Sequence, residues 1–177
     1  RMKFYSTALE KLRSMDLIYP CWLTRKESIS ATSAPHKSSL FDTDLILDSS
    51  ETIRRREKGV FPAWRLRIKK AIQYANQTNK DLFWVDENLG KFKLNVEKFG
   101  DFIIARKDIS TSYHLAVTLD DNFDGVTHVT RGNDLLESTN IHRLIQILLS
   151  LKQTKWVHHP LVFDKEGKRM AKRKFSK

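Results

Sequence analysis

The densest chemistry in the 177-residue sequence lies at its end. Asp164 to Lys177 hold Lys165, Lys168, Arg169, Lys172, Arg173, Lys174 and Lys177 against only Asp164 and Glu166. This stretch supplies +5 of a net charge of +11. Such an excess favours a polyanionic partner through phosphate neutralisation and counterion release. The plain alternative is a solvated basic tail, in which Lys172 is one cation among several. Arg131 stands three residues before Asp134 and, on spacing alone, reads as its surface ion-pair partner. Tyr113 taken singly reads as a core aromatic with a satisfied hydroxyl. Asp120 and Asp121 are adjacent carboxylates of the kind that bind magnesium. His158 and His159 are adjacent too, but neighbours on a strand point to opposite sides, which argues against a metal pair. Cys21 is the single cysteine, so an internal disulfide framework and a cysteine-rich zinc module are excluded.

These groups need a scaffold, and the composition provides for one. Hydrophobic residues make up 40% of the chain, with ten Phe and four Trp, enough for a globular core and against disorder throughout. The length suits one domain, or one domain with an insertion. No apolar run approaches the roughly 20 residues that cross a bilayer. The opening Arg1-Met2-Lys3-Phe4-Tyr5 has no signal-peptide core, and a lone thiol suits a reducing cytoplasm.

Tyr5, Ala8, Leu9 and Leu12 recur at helical spacing, which predicts an amphipathic helix over 2–15. Leu17-Ile18-Tyr19 before Pro20 reads as a short strand or turn. Thr24 and Glu27 form a capping box for a brief helix near 25–31. The Ser-, Thr- and Asp-rich run from 28 to 50 reads as a long exposed loop, and 51–59 as a helix ending at Gly59. Strands are expected at 63–68, 82–86 and 102–106, with further apolar segments centred on 114–118 and 126–130. A strong helix is expected over 139–152, with Ile141, Leu144, Ile145, Leu148 and Leu151 on one face, and a last strand over 156–163. Alternation of strands and helices in the second half predicts an α/β architecture with parallel pairing.

Three segments carry a resemblance. They are Asp101-Phe-Ile-Ile-Ala-Arg-Lys-Asp108, Tyr113-His-Leu-Ala-Val-Thr-Leu-Asp-Asp121 and Gly125-Val-Thr-His-Val-Thr-Arg-Gly-Asn-Asp-Leu-Leu136, followed by Arg169-Met-Ala-Lys-Arg173. In that order they resemble the catalytic domain of class I glutamyl-tRNA synthetases. The likeness leans, through the Tyr-His-Leu-Ala-Val wording, towards the short paralogues that glutamylate the queuosine of tRNA(Asp). Tyr5 to Glu27 is similar to the family segment that leads into a metal knuckle.

The resemblance implies a Rossmann-type catalytic domain with an inserted α+β connective, acceptor-binding-like subdomain. It divides the chain into an entry segment at 1–27, the insertion at 28–100 and the second catalytic half at 101–177. It implies ATP and Mg2+ as cofactors, L-glutamate and tRNA(Asp) as partners, and a cytoplasmic monomer with no membrane attachment. By the same likeness, Arg131 holds the amino acid's side-chain carboxylate, for which a bidentate cation is suited, and Tyr113 contacts the amino acid. Asp134, Leu135 and Leu136 lie against ATP. Arg169, Met170, Ala171, Lys172 and Arg173 form the mobile loop of KMSKS type, with Lys172 contacting the phosphates and Ala171 replacing the usual serine. The resemblance makes His158 and His159 structural or near the nucleotide, and Asp120-Asp121 chiefly structural.

Two departures stand out. The His-x-Gly-His signature does not occur in the sequence. The first strand and the HIGH segment are therefore expected to be missing from an N-terminally incomplete chain, inactive by itself. Where relatives place Cys-x-Cys, the sequence reads Cys21-Trp22-Leu23. One thiolate cannot close a tetrahedral site, so zinc is expected to be lost and Cys21 to be a remnant. Two other readings stay open, a catalytic fragment of a glutamyl-tRNA synthetase charging tRNA(Glu) and a non-catalytic, synthetase-derived RNA-binding module.

Overall fold

The architecture follows from how apolar side chains are spaced. In a computed structural model describing residues 1–23, 27, 50–78, 80–109, 111–164 and 170, helix α1 (Met2–Ser14) buries Tyr5, Ala8 and Leu12 along one stripe. Strand β1 (Ile18–Cys21) then pairs antiparallel with β2 (Ala63–Leu66), from Ile18 opposite Leu66 to Cys21 opposite Ala63. β2 pairs antiparallel with β5 (Ile103–Ala105). Pro20 is tolerated because β1 lies at the edge of this three-stranded sheet, where a missing N–H costs nothing. Helix α2 (Ser50–Glu57) precedes Gly59, whose φ of +69° matches the expected C-terminal stop.

The second sheet, in the order β4-β3-β7-β6, positions the site. It comprises β3 (Phe83–Asp86), β4 (Gly90–Lys93), β6 (His128–Gly132) and β7 (Lys155–His159). β7 pairs parallel with both β3 and β6, while β3 and β4 form an antiparallel hairpin. Strands from either side of residue 100 thus share one sheet. β6 and β7 are joined through helix α5 (Ser138–Leu149), as parallel strands require a crossover. Every residue of α5 from Thr139 to Leu149 is buried. It packs against α1, α3 (Ile68–Gln77), α4 (Tyr113–Phe123) and β3.

The α/β expectation, with parallel pairing in the second half, holds, but several elements differ. The apolar segment at 114–118 is part of helix α4 and not a strand. Leu115, Thr118 and Leu119 are buried at helical spacing, and the Ser112 hydroxyl caps the helix by accepting from the Leu115 N–H at 3.3 Å. The strand expected to reach Ile68 stops at Leu66. Ile68 opens α3, its N–H donating to Asp101 Oδ1 at 2.8 Å, and Ile68, Ala71 and Ala75 face the core. The strand centred on 126–130 is shifted to His128–Gly132, which takes Arg131 into the sheet. The last strand ends at His159, and α5 at Leu149, although Leu151 still packs on the core. The helix near 25–31 and the loop at 28–50 fall almost wholly outside the described residues.

Candidate functional site

Parallel strands align their carboxyl ends, and here those ends gather polar side chains. Asp86 closes β3, His158 is the penultimate residue of β7, and Arg131, penultimate in β6, lies opposite His158 in register. Asp86 is fixed by its own turn, accepting at Oδ1 from the N–H groups of Asn88 and Leu89, each at 2.9 Å. Its Oδ2 accepts from the His158 backbone N–H at 2.9 Å and pairs with His158 Nδ1 at 2.7 Å.

From there the network runs to the guanidinium. Arg131 Nε donates to His158 Nε2 at 3.1 Å, one terminal nitrogen donates to His142 Nδ1 at 3.0 Å, and the other to the Thr139 hydroxyl. His142 Nε2 in turn lies 3.0 Å from His114 Nδ1. Arginine has no acceptor, so each imidazole nitrogen facing it must be bare. That assigns the protons by elimination. His158 carries its hydrogen on Nδ1 and donates to Asp86, and His142 carries its hydrogen on Nε2 and donates to His114.

Electrostatics agree. Burial, reinforced by the Arg131 charge and by His114 and His158, pushes His142 down to about 2, so it stays neutral. Burial also lowers His158, against the opposing pull of Asp86, and lowers His114, with Arg131 adding to the effect. Burial alone would raise the Asp86 carboxyl, but the hydrogen bonds from His158, Leu89 and Asn88 outweigh it and hold the group below its usual range. Burial lowers Arg131, while Tyr113, Asp121 and Asp134 push it back up. The guanidinium remains a cation, 9% exposed, whose hydrogen bonds to His158, His142 and Thr139 are all to neutral groups.

Tyr113 sits at the first turn of α4, half exposed, with its ring edge-on to His142 at 5.8 Å between centroids. The structure therefore brings Tyr113 and Arg131 together and removes the surface ion-pair reading of Arg131. Asp134 and Leu135 form a short 3-10 turn after β6, continued by Leu136. Gly132 lets that turn fold back, since a Cβ there would meet Asp134 Oδ1 at 2.6 Å and Leu161 Cδ2 at 2.9 Å. Lys172, Arg169, Ala171 and Arg173 lie outside the described residues. Met170 is described, its N–H donating to the Val162 carbonyl at 2.9 Å.

The remaining candidates fall into place. Asp120 accepts from Arg1 at 3.0 Å and from the Tyr5 hydroxyl at 2.7 Å, a structural tie between α1 and α4. Cys21 is a buried free thiol in a small cluster with Tyr19 and Leu23. Among the described residues, no group of three or more His, Cys, Asp or Glu forms a metal site. His158 points inward and His159 outward, as expected of strand neighbours. Asp86, His114, Thr139 and His142 escaped sequence reasoning. The available signal was the polar stripe Thr139, His142, Arg143 and Gln146, spaced by three and four along a helix whose other face is apolar.

Comparison with known proteins bears on the family and the fold. The model of the family described as tRNA synthetases class I (E and Q), catalytic domain, matches residues 36–177. The glutamyl-Q tRNA(Asp) synthetase of Rhodobacter capsulatus is 35% identical over 178 residues, covering 98% of this chain and 64% of that protein. The protein of the same name from Nocardia farcinica is 35% identical over 171 residues, covering 96% of this chain and 51% of its own length. The chain thus spans between half and two thirds of these relatives. The glutamate-tRNA synthetase of Elizabethkingia anophelis superposes with a TM-score of 0.69 at 22% identity, over 99% of this chain and 37% of that one, a likeness of fold.

Proposed function

The chain belongs to the class I tRNA synthetase family of E and Q type, and from that membership we propose that it serves the ATP-dependent activation of L-glutamate and its transfer to the queuosine of tRNA(Asp). The observation that carries the reading is the buried Arg131 cation at the carboxyl end of β6, beside Tyr113 and bonded to neutral partners. In an open α/β sheet, ligands sit at the carboxyl ends of strands. A desolvated guanidinium there gains far more from an incoming carboxylate than a surface arginine would, because the charge has lost its water and is only partly offset by Asp121 and Asp134. The glutamate side chain supplies that carboxylate, and Tyr113 closes over it.

ATP and Mg2+ are the cofactors of this class. In this chain Asp134, Leu135 and Leu136 would border the nucleotide at the turn after β6. Lys172, in the loop Arg169 to Arg173, would neutralise charge building on the phosphates. Zinc has no place in the proposal, because the sequence holds one cysteine and a closed site needs four ligands. The relatives named glutamyl-Q tRNA(Asp) synthetase favour that tRNA over tRNA(Glu). Among the described residues no helix is long and apolar enough to cross a membrane.

The test is glutamate-dependent ATP–pyrophosphate exchange by the full-length product of the encoding gene, with and without tRNA. Transfer of labelled glutamate to queuosine-containing tRNA(Asp) and to tRNA(Glu) is then compared. Exchange with transfer to tRNA(Asp) is expected. Exchange with transfer only to tRNA(Glu) would make it a glutamyl-tRNA synthetase, and no exchange under any condition would leave an RNA-binding module.

A further inference from the structure

Arginine offers five N–H donors in a rigid plane, and which of them are already engaged decides how an anion can approach. Here Nε is taken by His158 and one terminal nitrogen by Thr139. These two acceptors lie 3.2 Å from each other, so the edge between Nε and that nitrogen is filled. The second terminal nitrogen gives one hydrogen to His142. These three bonds leave one N–H on each terminal nitrogen, which the Tyr113 hydroxyl and an incoming carboxylate can share. We propose that His142 and His158 are positioning residues for the substrate's side-chain carboxylate. As neutral imidazoles they hold Arg131 so that the carboxylate is gripped end-on through its two terminal nitrogens, and not through Nε.

The inference rests on the reading of Arg131 given above and adds to it the part played by two histidines that need not touch the substrate. It requires both imidazoles to be acceptors toward Arg131. A proton on His142 Nδ1 or His158 Nε2 would set a donor against a donor and release the guanidinium. The groups facing this network are His114 and Tyr113 from α4, Asp86 from β3, Asp121 from α4 and Asp134 from the turn after β6. Asp86 works through His158, since its carboxylate holds that ring's hydrogen on Nδ1 and so leaves Nε2 bare. The chain Asp86–His158–Arg131–His142–His114 thus ties the third, seventh and sixth strands and two helices to the orientation of one guanidinium.

Two measurements on the full-length product of the encoding gene decide it. Long-range 1H–15N spectra of the imidazoles between pH 8 and pH 6 should show His142 as the Nε2–H tautomer and His158 as the Nδ1–H tautomer. Calorimetric titration with L-glutamate should show His142→Gln, whose amide oxygen can still accept from Arg131, within about threefold of wild type. His142→Leu should bind glutamate at least about tenfold more weakly, while ATP binding by both variants changes less than about twofold, since loss of one acceptor to a charged donor is worth a factor of this size. Reversed tautomers, or an imidazolium at either position at pH 6, would overturn the proposal, as would equal loss in His142→Gln and His142→Leu. Reversed tautomers with glutamate still bound remove only the role of the histidines. Correct tautomers in a wild-type chain that binds no glutamate remove the function proposed above, and with it the carboxylate that this network would serve.

Discussion

A guanidinium held by two imidazoles and a hydroxyl makes the local chemistry sensitive to protons, and the sign can be worked out for His142. Its pKa in the folded chain is about 2, pushed down chiefly by burial, against about 6.5 when exposed. Between these values the unfolded chain binds a proton that the folded chain does not. The stability due to the neutral ring is therefore complete above about pH 6.5 and lost as the pH falls, by up to about 1.4 kcal/mol per pH unit. Denaturant midpoints at pH 7.5 and 5.5 should show a fall in wild type that is shallower in His142→Gln; parallel falls would contradict the buried neutral ring. A second expectation concerns Lys172, whose proposed work is on phosphate charge. Lys172→Ala should slow adenylate formation by about 100-fold or more and leave glutamate affinity near wild type, in line with the loss of one preorganised electrostatic contact. An unchanged pyrophosphate exchange rate would remove Lys172 from that role.

Helix α5 is buried on every side, so its polar side chains must find partners inside the protein. Asn140 Oδ1 accepts from the Trp84 indole at 3.1 Å and from the Asn95 N–H at 3.0 Å, tying the helix to the β3–β4 hairpin. Arg143 donates to the carbonyls of Phe83 and Asp81 at 2.9 and 2.8 Å, which locks the start of β3. Asn140→Ala strands the buried Trp84 indole donor and frees the Asn95 N–H of an exposed residue, and should cost about 2 kcal/mol in urea unfolding, whereas Asn140→Asp keeps the acceptor and should cost less. Equal losses would mean that packing, and not the shared oxygen, matters at this position. The apolar face of α5 was legible from Ile141, Leu144, Ile145 and Leu148, but its polar face was not, since hydropathy marks Thr139 and His142 as solvent-facing. α4 was misread for a related reason. Leu115, Ala116 and Val117 form an apolar run that suits a strand, and only the Ser112 cap and the Leu115, Thr118, Leu119 spacing mark the helix. The order of motifs around Arg131 was legible because it depends on residue identity. The partners of Arg131 come from β7 and α5, and sequence spacing says nothing about parallel register.

For the whole molecule, a charge of +11 is in keeping with the tRNA partner proposed above. Affinity for tRNA should fall at least about tenfold between 50 and 200 mM salt, as counterion release requires, and a flat response would contradict phosphate neutralisation as the source of binding. The fold leaves the carboxyl ends of β3, β7 and β6 on one edge, where small shifts in register would scatter Asp86, His158 and Arg131. The most direct measurement is equilibrium binding of L-glutamate and of ATP to wild type and to Arg131→Ala. Glutamate affinity should drop by about 100-fold or more, the scale of losing one partner of a desolvated charge pair, with ATP affinity held within about twofold. Glutamate binding that survives the substitution unchanged would contradict the assignment of Arg131 as the carboxylate's partner.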